Sequence, residues 1–228
     1  MLFLLVACTD ERGPRDPSDT VEIDGYVYAG PTDPDVQLTG GSLSFTPEGA
    51  DPVAAEQPYV DDYPGYWRAE LPASVPYSLR IVGNTGYPAV WRGTAPAADG
   101  SWFSGALFGA DTAQVDTFLA GLDLPAPITP APLGEGEFAH VWGYPWVADG
   151  WDCALVSVNG EPAICYLQDL STGYTSRVDA GPFTYFVSLN LTPGEVVVDS
   201  GIGGAETYTA EGGDMIFAFW FSTTGEGS

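Results

Sequence analysis

Carboxylates are the side chains of this sequence that could support the widest range of chemistry. The 228 residues include 31 aspartates and glutamates, one histidine and no lysine. Two carboxyl groups that face each other across a cleft, about 5–9.5 Å apart, can hydrolyse a glycosidic bond. A glycoside hydrolase with paired carboxylates is therefore one function that the residue types allow, although domains of the size expected here rarely supply the deep cleft it needs.

Four aspartates lie in short segments rich in glycine and proline, where hard oxygen ligands can gather around a calcium ion. They are Asp33, Asp35, Asp61 and Asp62. Neither pair has the D-x-[DN]-x-[DN]-G spacing of a calcium-binding loop. We therefore interpret both segments as solvated loops and predict no metal and no cofactor, with a calcium-stabilised adhesion module as the alternative.

His140 is the only histidine, so any histidine-dependent catalytic site would depend on it alone. It lies in the alternating sequence FAHVW, which is typical of a strand, and no G-x-S-x-G motif supplies a nucleophile. The absence of lysine also excludes Schiff-base chemistry and lysine general bases. We interpret His140 as a structural residue and predict that the protein is not an enzyme.

Aromatic residues cluster with acidic residues in two segments of the chain. Exposed rings can stack on sugars or anchor a protein partner, whereas rings within strands pack in the core. We predict that Trp67 and Trp142 belong to the core, and that Tyr63, Trp146 and Trp151 are candidate ligand-binding residues. The partner that they would bind is a protein or a polysaccharide.

The first residues form an apolar run that ends with a small residue and a cysteine: Leu5, Val6, Ala7 and Cys8. This pattern resembles the lipobox of bacterial lipoproteins. The resemblance implies cleavage before Cys8, acylation of its sulfur and amino group, and attachment of the mature protein to a membrane. Residues 1–8 lack the basic start and the length of a full signal peptide, so we expect the true start to lie upstream; an accidental match is the alternative.

Residues 9–20 are polar, charged and proline-bearing, without a periodic apolar face, and we predict that they form a flexible tether. No other segment approaches the roughly 18 consecutive apolar residues of a membrane-spanning helix. We therefore predict a cell-envelope protein, an outer-membrane lipoprotein that faces the periplasm or the cell surface and contacts the membrane through its lipid anchor. Its partner is then an unknown envelope protein or polysaccharide.

The other two cysteines, Cys153 and Cys165, are predicted to form a disulfide, as exported proteins often do. Two apolar runs between them surround Asn159 and Gly160, which indicates a hairpin. A strict two-residue turn would put Ala154 opposite Cys165. We predict a bulged three-residue turn instead, because it puts the two cysteines directly opposite each other.

The formal net charge of −25 excludes nucleic acid as the default partner, because phosphates would be repelled and no basic stripe is present. We interpret the acidic residues as a solvated surface. Such a surface suits a salt-rich or calcium-containing exterior, where screening reduces the repulsion between like charges.

Composition and periodicity predict an all-β fold of two tandem β-sandwiches, since 29 glycines and 20 prolines favour short strands joined by turns. The first sandwich spans residues 21–110 and the second spans residues 138–224. The predicted strands lie at 21–28, 42–45, 66–71, 77–82, 87–91, 138–144, 153–158, 163–167, 183–190, 195–199 and 215–221.

A short helix and a proline-rich linker are predicted to join the two sandwiches. Apolar residues at helical spacing predict the helix at 111–122, with Asp111 as its N-cap. The proline-rich segment 123–137 favours extended polyproline geometry and is typical of a semi-rigid spacer. The last strand is apolar at nearly every position, so we expect it to be covered on both faces or to cover the contact between the domains.

Residues 24–27, 65–72 and 77–82 contain an opening G-x-V strand, a G-x-aromatic strand that leads into Leu-Pro, and a tyrosine-bearing strand. This arrangement resembles a carboxypeptidase regulatory-like domain, and residues 141–143 and 191–198 resemble the family more weakly. The resemblance implies transthyretin-like or immunoglobulin-like sandwiches that act as spacers, folding supports or binding modules. We therefore expect a non-catalytic envelope lipoprotein that serves as a surface or periplasmic binding or structural module, with carbohydrate binding as an alternative.

Overall fold

The computed structural model describes residues 20–30, 33–37, 40–56, 65–93, 106–145, 151–168, 175–202 and 204–220. Strands dominate these residues, as the alternation of apolar and polar side chains predicts. The strands are β1 (Thr20–Gly30), β2 (Asp33–Gln37), β3 (Ser42–Pro47), β4 (Val53–Ala54), β5 (Tyr66–Pro72), β6 (Tyr77–Val82), β7 (Gly86–Tyr87), β8 (Ala89–Gly93), β9 (Ala106–Phe108), β10 (Ala110–Asp111), β11 (Ala139–Pro145), β12 (Ser157–Val158), β13 (Glu161–Pro162), β14 (Ile164–Gln168), β15 (Thr175–Val178), β16 (Tyr185–Leu191), β17 (Gly194–Asp199), β18 (Ala205–Ala210) and β19 (Met215–Trp220). The described helices are α1 (Thr112–Ala120) and two short 3-10 helices at Leu133–Glu135 and Cys153–Leu155.

A nine-stranded mixed sheet forms the middle of the protein, in the order β15-β14-β16-β11-β19-β8-β6-β3-β4. Its central strand, β19, runs parallel to β11 on one side and to β8 on the other; Met215 lies opposite His140 in the first pair and Ala89 in the second. The sheet thus joins strands from both predicted domains, 21–110 and 138–224. The boundary predicted between them does not separate two sheets, because β19 returns to the middle and pairs with both halves.

Smaller sheets cover the two faces of this central sheet. One contains β2-β1-β5 with β9 beside β1, and the other contains β13-β12-β17-β18. Side chains alternate between the faces of β19: Met215 and Phe217 belong to the first core, and Ile216 and Ala218 belong to the second. All four are at most 1% exposed. The prediction that this apolar strand is covered on both faces is confirmed.

Helix α1 packs on the first core. The carboxylate of Asp111 accepts a hydrogen bond from the backbone N–H of Gln114, 3.1 Å long, and so caps the start of the helix. Val115 and Leu119, one turn apart, are buried against the core. The helix predicted at 111–122 is therefore present, with its last residue at Ala120.

The predicted disulfide between Cys153 and Cys165 is present, with the two Cα atoms 6.0 Å apart. The bulged register predicted for the hairpin is wrong. Asn159 and Gly160 both have positive φ angles, 53° and 80°, and form the two-residue turn that these angles favour, so Val158 pairs with Glu161. The disulfide still forms because residue 153 lies in a 3-10 helix rather than in a strand opposite residue 165.

Asp33 and Asp35 lie in strand β2, not in a loop as predicted. Strand β2 pairs with β1 in antiparallel fashion and lies at the edge of its sheet within the described residues. Pro34 is tolerated there because an edge strand does not need every backbone N–H for pairing. The glycine and prolines of this segment indicated a turn, but the segment is extended because it pairs with the long strand β1.

Candidate binding site

The proline-rich segment predicted as a linker lies against the central sheet. Asn190 of β16 holds it at two points: its Oδ1 accepts a hydrogen bond from the N–H of Ala131 (2.7 Å), and its Nδ2 donates to the carbonyl of Thr129 (2.8 Å). The hydroxyl of Tyr166 donates to the carbonyl of Asp123 near the start of the segment. We call residues 123–137 the strap, because they lie across the sheet and are bonded to the side chains of Tyr166 and Asn190.

His140 anchors the same strap from within the core. It is fully buried; its Nδ1 lies 2.8 Å from the carbonyl of Ala139 and 3.1 Å from the backbone nitrogen of Asn190, and its Nε2 lies 3.0 Å from the carbonyl of Ala131. Burial lowers the pKa of His140, because a charged imidazole would lose its hydration. His140 is thus a neutral core histidine that holds backbone in place, which agrees with its interpretation as a structural residue.

A groove of about 460 Å³ opens between the strap and the sheet. Such a volume lies within the range of small-ligand sites. The groove is lined by uncharged residues from the strap, from the chain around β13 and β14, and from β16: Pro127, Ile128, Thr129, Pro162, Ile164, Val187, Ser188, Leu189 and Asn190. The lining includes apolar side chains and the hydroxyl-bearing Thr129 and Ser188. The groove can therefore contact the apolar surface of a neutral ligand and form hydrogen bonds with its polar groups.

A buried ion pair joins the two halves of the central sheet away from the groove. The guanidinium of Arg80 on β6 donates two hydrogen bonds of 2.7 Å to the carboxylate of Asp214, which immediately precedes β19. Asp214 is fully buried and also accepts the backbone N–H of Glu211. Burial raises the pKa of Asp214, and the bonds from Arg80 oppose that rise. This pair fixes where β19 enters the sheet.

A second polar cluster lies on β18. The buried hydroxyl of Tyr208 donates to the carboxylate of Glu206, 2.6 Å away. Burial raises the pKa of both groups. Arg92 on β8 donates to the carbonyl of Thr207 (3.0 Å) and pairs with Glu48. The bond from Arg92 connects β18 to β8 in the interior of the central sheet, and sequence analysis missed it because Arg92 and Thr207 are 115 positions apart.

Of the predicted aromatic residues, Trp67 and Trp142 lie in the first core, as expected. Trp151 is only 9% exposed and belongs to the second core. Contrary to the prediction, its ring is not an exposed platform, because it packs among the apolar side chains beside the disulfide. The predictions for Tyr63 and Trp146 lie outside the described residues.

The remaining site predictions concern the membrane and metal ions. Cys8, Asp61 and Asp62 lie outside the described residues, and for Asp33 and Asp35 only the backbone is described. In the part of the chain that the structure describes, no three His, Cys, Asp or Glu side chains come together as metal ligands. No helix among these residues is long and apolar enough to cross a membrane.

Comparisons with known proteins do not assign a family. No protein-family profile and no curated protein matches the chain. Among solved structures, one similar chain is the Bacillus anthracis TIE protein, with 11% sequence identity and a TM-score of 0.27. The alignment covers 88% of this chain and 34% of that one, so this chain spans about a third of that protein's length. The likeness is too low to carry an argument about function.

Proposed function

We propose that this protein is a lipid-anchored, non-catalytic module of the bacterial cell envelope that binds another envelope component. The observation that carries the proposal is the disulfide between Cys153 and Cys165, which lies in the second core. Disulfides persist in oxidising compartments outside the cytosol. An exported protein with Cys8 directly after an apolar run fits a lipoprotein of the outer membrane.

The buried titratable groups support a role without catalysis. His140 bonds to the backbone of the strap, Asp214 bonds to Arg80, and Glu206 accepts the hydroxyl of Tyr208. His140 and Asp214 therefore connect structural elements, and Glu206 is bonded within β18. The residues that line the groove include none of them.

The two outer sheets support a further part of the proposal, the relation to carboxypeptidase regulatory-like domains. We propose that each outer sheet, together with the part of the central sheet that it covers, is a transthyretin-like sandwich. Trp67 and Leu71, from the motif that carries the resemblance, lie on β5 and pack in the first core. Domains of this type serve as binding modules or spacers, which agrees with the proposed function.

The groove beneath the strap is the surface that we propose for binding. The groove lining has no carboxylate to pair with a cation and no basic group to pair with an anion, so it suits a neutral ligand better than a charged one. A neutral envelope polysaccharide offers both the apolar ring faces and the hydroxyl groups that the lining residues can contact. The proposed ligand class is therefore a neutral polysaccharide.

Replacing Ile128 with glutamate tests this assignment. Ile128 is 40% exposed and lines the groove, so Ile128→Glu introduces a charge there without opening the core. Titration calorimetry with neutral oligosaccharides from bacterial envelopes should show affinity at least about tenfold weaker than for the unmodified protein, because the charge loses hydration on binding. Ile202→Glu is the matched control, since Ile202 is 54% exposed and lies outside the groove lining. Equal affinities for both variants would contradict the assignment to the groove.

A further inference from the structure

The outward face of strand β1 carries a row of acidic and tyrosine side chains. Every second residue from 21 to 29 is buried, and the residues between them point outward and are exposed or partly exposed: Glu22, Asp24, Tyr26 and Tyr28. Strand β5 pairs with β1 on one side of Tyr26, and β9 pairs with it on the other. A further strand therefore cannot add to β1 here, and a ligand can meet this face only through its side chains.

Three tyrosine rings lie together on this face. Tyr66 of β5 is directly opposite Tyr26, and their ring centroids are 5.5 Å apart. Tyr28 lies two residues further along β1, about 7 Å away on the same side of the sheet. All three side chains are partly exposed, and none of them belongs to a buried core. Aromatic rings grouped in this way on an outer surface are typical of a binding site.

Carboxylates extend the same face beyond the rings. The hydroxyl of Tyr66 donates to Oδ2 of Asp24, 2.7 Å away, and so fixes that carboxylate beside the tyrosines. Glu22 lies directly opposite Glu70 of β5, and both side chains are exposed. Like charges directly opposite each other in a sheet repel. A cationic group bound between these two glutamates would offset the repulsion.

The charges of β1 and β5 leave a negative excess on the face. Arg68, opposite Asp24, is the one basic residue of these two strands, and its guanidinium donates to the carboxylate of Glu56 at 2.9 and 2.6 Å. Four carboxylates therefore stand against one guanidinium: Glu22, Asp24, Glu56 and Glu70. This balance repels an anionic ligand and favours a cationic one.

A glycan that carries free amino groups matches both parts of this face. The apolar faces of its sugar rings can stack on tyrosine rings, and its ammonium groups can pair with carboxylates and lie against the rings as cations. An extended peptide fits less well, because sheets recognise extended peptides through backbone bonds at an open edge. Strand β1 has no such edge between β5 and β9.

We propose that the outward face of β1 and β5 binds a polysaccharide of amino sugars whose amino groups are free. The three tyrosines contact the sugar rings, and the carboxylates of Glu22 and Glu70 bind an ammonium group. This site goes beyond the proposed binding of a neutral polysaccharide, because none of its residues lines the groove.

Titration calorimetry with two sugar hexamers tests the proposal. One is a β-1,4-linked hexamer of glucosamine with protonated amines, and the other is the same hexamer with every amine acetylated and uncharged. The glucosamine hexamer should bind at least about tenfold more tightly, because only its amines pair with the carboxylates. Tyr28→Thr removes a ring but suits a strand, and should weaken the glucosamine hexamer about tenfold. Tyr28→Phe keeps the ring and should bind like the unmodified protein.

Two glutamine variants test the charges. Glu22 and Glu195 are both exposed glutamates on strands of outer sheets, but only Glu22 lies on the face with the tyrosines. Glu22→Gln should weaken the glucosamine hexamer and leave the acetylated hexamer unchanged, whereas Glu195→Gln should change neither. Ile128→Glu should not affect the glucosamine hexamer, so that failure of this proposal and failure of the groove assignment are distinguishable.

Three results would overturn the proposal. The first is equal affinity for the two hexamers, or no binding of the glucosamine hexamer. The second is an equal effect of Glu22→Gln and Glu195→Gln. The third is a lysine hexamer that binds as tightly as the glucosamine hexamer and is weakened equally by Glu22→Gln, because the face would then select positive charge and not a sugar.

Discussion

Single buried polar residues hold distant parts of this protein together. Asp214 lies where β19 enters the central sheet, and its partner Arg80 is 134 positions away in sequence. His140 joins the strap to β16 across 50 positions. The residue types were visible in the sequence, but their partners were not, because neither pair has a local spacing pattern. Sequence analysis could therefore identify His140 as structural without identifying what it holds.

Removing Arg80 tests the ion pair. In Arg80→Ala, Asp214 would remain buried without its partner, and we expect the free energy of unfolding to fall by about 3 kcal/mol, near the lower end for a broken buried pair because Arg80 is partly exposed. Urea unfolding measures the change. Arg68→Ala is the control: its partner Glu56 is exposed, so water screens the pair and the loss should be much smaller. Equal losses would show that burial of Asp214 does not govern the effect.

The pH dependence of stability tests the neutral state of His140. Its pKa is lower in the folded protein than the ordinary value of 6.5, so the folded state binds fewer protons than the unfolded state below that pH. The stability that neutral His140 contributes is complete above pH 6.5 and is lost as the pH falls through the folded pKa. Burial raises the pKa values of Asp214 and Glu206, so their contribution has the opposite sign: it is present at low pH and is lost as the pH rises.

A His140→Asn variant separates these contributions, because both acidic groups remain in it. The difference in unfolding free energy between the unmodified protein and the variant, from urea titrations at pH 5 to 8, should be constant above pH 6.5 and shrink below it. A difference that stays constant down to pH 5 would show that His140 has the same pKa in both states.

Local patterns predicted many of the elements but missed β15 and β18, and the strand predicted at 153–158 begins as a 3-10 helix. Tyr77–Val82 begins and ends where alternation predicted, and Asp111 caps α1 as expected. The hairpin turn was predicted wrongly because the cysteine pairing was assumed to require two opposed strands, whereas Cys153 reaches Cys165 from a 3-10 helix. The strap was predicted as a spacer because composition reports its polyproline tendency and not its bonds to Asn190.

Two substitutions at Asn190 test how the strap is held. Asn190 has a φ of 59° and forms the two side-chain bonds to the strap. Asn190→Gly removes those bonds and tolerates the positive φ, so it should reduce the free energy of unfolding by about 1–2 kcal/mol. Asn190→Ala should cost about 1 kcal/mol more, because alanine is strained at this angle. Urea unfolding measures these losses, and hydrogen exchange of the Ala131 amide measures whether the strap is still held. If the Ala131 amide exchanged no faster in either variant, Asn190 would not be what holds the strap.

At the scale of the whole protein, one central sheet contains strands from both halves of the chain that were predicted as separate sandwiches. Each outer sheet covers one face of the central sheet, and β19 supplies side chains to both cores. The sequence shows that β19 is apolar on both faces. It does not show that its neighbours are β11 and β8, because parallel pairing between distant segments leaves no local pattern. The groove depends on the same long-range contacts, so its lining could not be predicted either.

Acyl labelling tests the central claim, that this protein is attached to the envelope through Cys8. The full chain, with a complete secretion signal supplied before its apolar run, would be expressed in bacteria fed a labelled fatty acid, and the membranes would then be fractionated. We predict label and outer-membrane location for the unmodified protein and for the neighbouring control Thr9→Ala, and loss of both for Cys8→Ser. Absence of label from the unmodified protein, or label that persists in Cys8→Ser, would contradict the lipid anchor.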